Sequence, residues 1–194
     1  EVNGLASTVK CFRVALSNED GVATLVQPLT HAGISALQGP NPHFRKNKRF
    51  EVRVAQLDSL PEFHTYLATL DKRVGLIKID IEGAEALALR GAKELLTADR
   101  PRVLAEINPE QLLKVSGTSA EELIADMASI GFECRRLEAG RPGTVIRTID
   151  SMVNVVFLPL RRCRACGALR GRGSRRRTVR TIRMSDSRSG SEES

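Results

Sequence analysis

An α/β fold is predicted, with a mostly parallel sheet, a late antiparallel strand pair and an Arg-rich tail that carries no packed structure. Three observations predict it. Strand-like and helix-like patterns alternate from residue 51 to residue 130, the signature of crossover units that build a parallel sheet. The run Leu76-Ile77-Lys78-Ile79-Asp80-Ile81 is β-prone and is followed at once by apolar residues at helical spacing. After Leu160 the sequence turns to Arg, Gly and Ser, with almost nothing apolar to bury.

Taken in order, VKCFRVAL at 9–16 reads as a strand, SNEDG at 17–21 as a polar turn, and ATLVQPL at 23–29 as a second strand broken by Pro28. Residues 30–49 form a long loop holding Gly33, Gly39, Pro40 and Pro42, bracketed by His31 and His43, and loops of this length are often functional. EVRVAQL at 51–57 alternates apolar and charged positions, as a strand with one solvated face does. Asp58 and Ser59 are placed to cap a helix that Pro61 opens, with Leu60, Phe63, Leu67 and Leu70 on its buried side and His64 on its polar side.

The 76–81 run reads as a central strand buried on both faces. Gly83 makes the turn, and Ala84, Leu87, Ala88, Gly91, Ala92, Leu95 and Leu96 fall on one face of a single helix. VLAEI at 103–107 is a further buried strand ended by Pro109. Ser119 and Glu122 form a capping-box pattern for a helix carrying Leu123, Ile124, Met127 and Ile130, closing at Gly131. FECRRLE and MVNVVFLPL supply the two late strands.

Residues 1–160 are expected to form the folded domain and 161–194 a disordered tail. The charge divides the same way. The chain carries +7, but eleven Arg against Asp186, Glu192 and Glu193 put +8 in the tail and leave −1 for the rest. Such a tail binds polyanions non-specifically and with strong salt dependence, yet it holds no aromatic residue for base stacking, so dedicated nucleic-acid recognition is not expected. No stretch of about 18 apolar residues and no secretory pattern occurs, which points to a cytoplasmic protein without membrane contact. Cys11 and Cys134 sit in apolar surroundings and are expected in the core. Cys163 and Cys166 have half the spacing of a zinc site with no second half, so no metal is assigned.

The chemistry concentrates in Asp80, Glu82 and Glu85. In open parallel sheets, ligands sit beyond the carboxyl ends of the strands. Asp80 lies at one such end, and Glu106 ends the next strand, so both acids face one crevice if the strands are neighbours. A carboxylate there accepts a proton from a hydroxyl, holds a cation or binds a hard metal ion. Equally, Glu82 and Glu85 in the first turn of a helix gain from its dipole and need no other role.

The string Lys-Ile-Asp-x-Glu-Gly-x-Glu at 78–85, followed by Leu-Arg-Gly-Ala at 89–92 and RPRVLAEI, and preceded by VRVAQLDSL and VALSNEDGVATL, resembles the FkbM family of S-adenosylmethionine-dependent methyltransferases over roughly residues 3–158. The resemblance implies a class I methyltransferase (Rossmann-like) sheet and methyl transfer onto a hydroxyl of a small molecule or glycan. Asp80 would orient or deprotonate the acceptor hydroxyl, Glu82 and Glu85 would frame its pocket, and Ala15, Leu16 and Ser17 would lie near the adenine of S-adenosylmethionine. The glycine-rich first strand and the acid-ended second strand of that pattern have no counterpart here. The chain is therefore expected to be a partial domain, inactive alone. Two other readings compete: a non-catalytic binding protein whose basic tail contacts nucleic acid or an acidic surface, and metal-dependent hydrolysis by the carboxylates.

Overall fold

The computed structural model describes residues 4–5, 8–29, 35–38, 47–162, 169–170 and 181–184. Its first sheet contains β1 (Ala15–Leu16), β2 (Gly21–Pro28), β3 (Ala36–Leu37) and β4 (Asn47–Ala55) in the order β1-β4-β2-β3. The backbone of this sheet is an antiparallel β2–β4 ladder running from Gly21 opposite Val54 to Pro28 opposite Asn47. Pro28 ends the strand as its missing N–H dictates. Of the strand expected over 9–16 only Ala15 and Leu16 pair, parallel to Val54 and Ala55. His31 and His43 lie outside the described residues.

The second sheet has the order β12-β5-β6-β9-β7-β8, with β5 at Leu76–Ile79, β6 at Arg102–Ile107, β7 at Phe132–Glu138, β8 at Arg141–Val145, β9 at Val153–Pro159 and β12 at Thr181–Met184. β5 pairs in parallel with β6 and with β12, while every other pairing in this sheet is antiparallel. The expected late pair is present, with Phe132 opposite Pro159 and Arg136 opposite Val155.

The expectation of a mostly parallel sheet is corrected: both sheets are mixed and mostly antiparallel. The reason lies in the connections. A parallel neighbour needs a crossover of a dozen or more residues, whereas a two-residue turn forces an antiparallel return. Ala139 and Gly140, both at positive φ, make such a turn between Glu138 and Arg141, and the chain then comes back as β9 between β6 and β7.

Burial in β5 also differs from expectation. Ile77 and Ile79 are buried, but Leu76 and Lys78 are half-buried, so one face alone is fully covered. On that face Ile77, Ile79, Val103, Ala105, Ile107, Val155 and Phe157 join Phe63, Leu89, Leu96, Leu112, Leu123 and Met127 from the helices in one cluster. A fully buried aliphatic side chain of this kind contributes about 1.5–3 kcal/mol.

The helices are α1 (Pro61–Thr69), α2 (Glu85–Arg90), α3 (Lys93–Asp99), α4 (Pro109–Ser116) and α5 (Ala120–Ser129). α1 has Pro at its start but no side-chain cap. Asp58 works elsewhere: its carboxylate accepts from Glu94 N (2.7 Å) and Leu95 N (3.0 Å), capping α3, and Ser59 Oγ donates to Asp20. The single helix expected over 84–96 is split at Gly91 and Ala92. There Gly91 O accepts from Asp58 N (2.9 Å), and a Cβ on Gly91 would stand 1.9 Å from Ser17 O. The helix α4 was not anticipated. Asn108 caps it by accepting from Glu110 N and Gln111 N, and Pro109 supplies a first-turn residue with no N–H to satisfy. The capping box of α5 forms as expected.

Regular structure beyond Leu160 corrects the expectation of a wholly disordered tail. β10 (Arg161–Arg162) pairs with β11 (Leu169–Arg170), and β12 adds a parallel strand to β5 from Thr181 opposite Leu76 to Met184 opposite Ile79. Backbone pairing with the open edge of β5 requires few apolar residues, and composition argues only about apolar burial.

Candidate active site at the carboxyl end of β5

Beyond Ile79 the chain makes a tight turn before α2. Asp80 leaves the strand on the same side as Lys78, since side chains two apart share a face. Lys78 Nζ pairs with Asp80 Oδ2 at 2.5 Å, and the Asp80 side chain retains 41% exposure. It is therefore a charged group at the lip, engaged by one cation and open to solvent. β6 is the direct neighbour of β5, with Ile79 opposite Ala105. Asp80 and Glu106 consequently occupy successive positions in adjacent strands, as the sequence implied. Glu106 is half-buried and lies opposite Asn154 of β9.

The turn itself is strained backbone held by packing. Glu82 has φ +55 and Gly83 φ +102. At Gly83 a Cβ would come within 2.4 Å of Gln111 O and 3.0 Å of Val115 Cγ2, so the position admits glycine alone, both for its φ and for its space against α4. Glu82 is half-buried and accepts from Gln111 Nε2 at 3.2 Å. Glu85 is 2% exposed. Its Oε1 accepts from Ile81 N (3.1 Å) and Gly83 N (3.2 Å), closing the turn from below. Burial drives the Glu85 pKa above the ordinary carboxylate value, with the charge of Asp80 adding to it, while bonds from the backbone N–H groups of Glu85, Ile81 and Gly83 oppose the shift. The three acids thus occupy different environments: one at the lip, one against α4 and one inside.

Of the residues expected near the adenine, Ala15 and Leu16 are half-buried in β1 and Ser17 packs against Gly91, just past the end of α2. Ser17 is 6% exposed, its N–H donates to Ala55 O (3.0 Å), and its carbonyl abuts Gly91. Gly91 follows the last residue of α2, a helix of six residues and so about 9 Å long at 1.5 Å per residue. His64 is structural: its Nε2 donates to Asp58 O (2.8 Å) and Leu57 O (3.1 Å). Cys134 is buried, but Cys11 is exposed, which corrects its expected place in the core. Cys163 and Cys166 lie outside the described residues. Among the described residues, no group of three or more His, Cys, Asp or Glu side chains is arranged to hold a metal ion, and no helix is long and apolar enough to cross a membrane.

Sequence reasoning missed the contribution of α4. Gln111 holds Glu82, and its backbone walls Gly83; the signal was the Asn-Pro-Glu start at 108–110, which reads as a cap, a first-turn proline and an acid for the helix dipole.

Two mixed sheets with helices packed on a buried sheet face, and a carboxylate-bearing turn at the end of β5, define a mixed α/β protein. The family model of the methyltransferase FkbM domain matches residues 3–134, more than half of the chain and all of this turn. The chain belongs to the FkbM methyltransferase family. Comparison with curated proteins and with solved structures gave no match.

Proposed function

We propose that this chain is an S-adenosylmethionine-dependent O-methyltransferase acting on a hydroxyl of a small molecule or glycan, with Asp80 as the acceptor-facing group. The observation that carries the reading is the position of Asp80: half-exposed at the carboxyl end of β5, paired with Lys78, and immediately ahead of a turn that packing fixes. A carboxylate so placed accepts the hydrogen bond of an incoming hydroxyl and fixes the direction of the oxygen lone pair. Alignment of this kind can account for several kcal/mol of a displacement barrier, roughly 7–11 in the best intramolecular cases. Engagement by Lys78 makes orientation, rather than outright proton removal, the main contribution of Asp80, since a carboxylate is a weak base toward an alcohol.

The methyl donor is implied by the family. No chemical step is assigned to residues 15–17, whose place near the adenine is part of the proposal. Calorimetric titration with S-adenosylhomocysteine into this chain, and into one extended upstream, tests the reading. Saturable binding that weakens on Asp80→Ala supports it; absence of binding to both forms overturns it.

A further inference from the structure

We propose that Glu85 is the positioning residue of this site: a carboxylic acid held inside the fold in its neutral form, which ties down the 81–83 turn and leaves Asp80 as the charged group at the lip. Two independent features of the geometry carry this. Oε1 accepts from the N–H groups of both Ile81 and Gly83, the two residues that flank the left-handed Glu82. Oε2 is buried without a hydrogen-bond partner.

Among the described residues, no salt bridge to Glu85 is formed. Lys78 is committed to Asp80, which repels a charge on Glu85. On α2, Arg90 pairs with Asp126; on α4, Lys114 pairs with Glu110, while Gln111 donates to Glu82. A buried carboxylate lacking a cation takes up a proton at far smaller cost than it keeps its charge. The direction in which burial moves its pKa agrees. Glu85 therefore does not touch an acceptor. It sets the path of the backbone from which Asp80 projects, and a shift of about 1 Å in such a group is enough to disturb reactant alignment. That Asp80 is positioned for chemistry rests on the function proposed above; the clamp and its proton do not.

The linkage has a definite sign. With a folded pKa above the ordinary value of 4.5, the stability supplied by protonated Glu85 is complete below that value and is lost as pH rises through the raised one. Glu85→Gln keeps an acceptor for both N–H groups and cannot ionise. Glu85→Ala removes the acceptor.

The test compares the full chain with both variants, measuring the urea midpoint from about pH 5 to about pH 8 and the hydrogen exchange of the Gly83 amide. Glu85→Gln is expected to keep Gly83 protected to within roughly threefold and to gain in midpoint relative to the parent as pH rises. Glu85→Ala is expected to lose protection by roughly tenfold or more. The proposal is overturned if Glu85→Gln exposes Gly83 as Glu85→Ala does, or if parent and Gln midpoints run parallel across the range. If the clamp results hold while S-adenosylhomocysteine binds neither this chain nor an extended one, the methyltransferase reading fails and the role of Glu85 in the turn stands.

Discussion

Replacing Gly91 by Ala probes the junction that joins the two sheets. Gly91 lies between α2 and α3, where an added methyl would meet Ser17 O at 1.9 Å, Ser17 C at 3.0 Å and Gln56 Cα at 3.2 Å. All three obstacles are backbone, so no side-chain rotation relieves the overlap. Ser17 N is itself bonded to Ala55 O, and Gly91 O to Asp58 N, which ties both partners in place. Overpacking by one methyl costs typically about 1–3 kcal/mol and more where the backbone must move. The lower chain entropy of Ala in the unfolded state returns about 0.4–1 kcal/mol. A net loss of about 2 kcal/mol or more is expected. Urea unfolding followed by circular dichroism measures it as a lower midpoint at unchanged slope. A neutral or stabilised Gly91→Ala variant would refute the close approach of the 15–17 segment to the α2–α3 junction.

Further outcomes follow from the same contacts. Asp58→Ala removes both cap bonds of α3 and should lower stability by about 1 kcal/mol in the same unfolding assay, whereas a cap acting on α1 would leave the exchange of the Glu94 and Leu95 amides unchanged. Ser119→Ala breaks the capping box and should cost a similar amount, about 0.5–2 kcal/mol, with exchange of the Glu122 amide accelerated. Burial pushes the Cys134 thiol up to about 12, so alkylation of the native chain near pH 8, read by peptide mapping, should modify exposed Cys11 and spare Cys134 until the chain unfolds.

The site was more legible than the sheet around it. Asp80 at a strand end, Glu106 in the adjacent strand, and Gly83 at the turn all followed from the switch between a β-prone run and helical spacing, because local pattern determines where a strand gives way to a helix. Glu85 was visible as an acid at a helix start, but its burial was not: whether such a group faces water or the core depends on α4, which lies more than twenty residues away. Strand direction was misjudged because it depends on connections, and the Ala139-Gly140 turn carries a weaker signal than Asn-Gly or Asp-Gly. Asp58 was recognised as a capping residue and assigned to the helix next in sequence, while its carboxylate reaches α3 through the tertiary fold. In β12 the alternation Thr-Ile-Arg-Met was present, but it was outweighed by the arginine content around it.

The most direct measurement is amide chemical-shift mapping as S-adenosylhomocysteine is added to this chain or, where it does not bind, to one extended upstream. The account predicts saturable shifts that include residues 80–85 and the carboxyl ends of β5 and β6. Saturable shifts confined to the other ends of those strands, or to the Arg-rich segment alone, would contradict it.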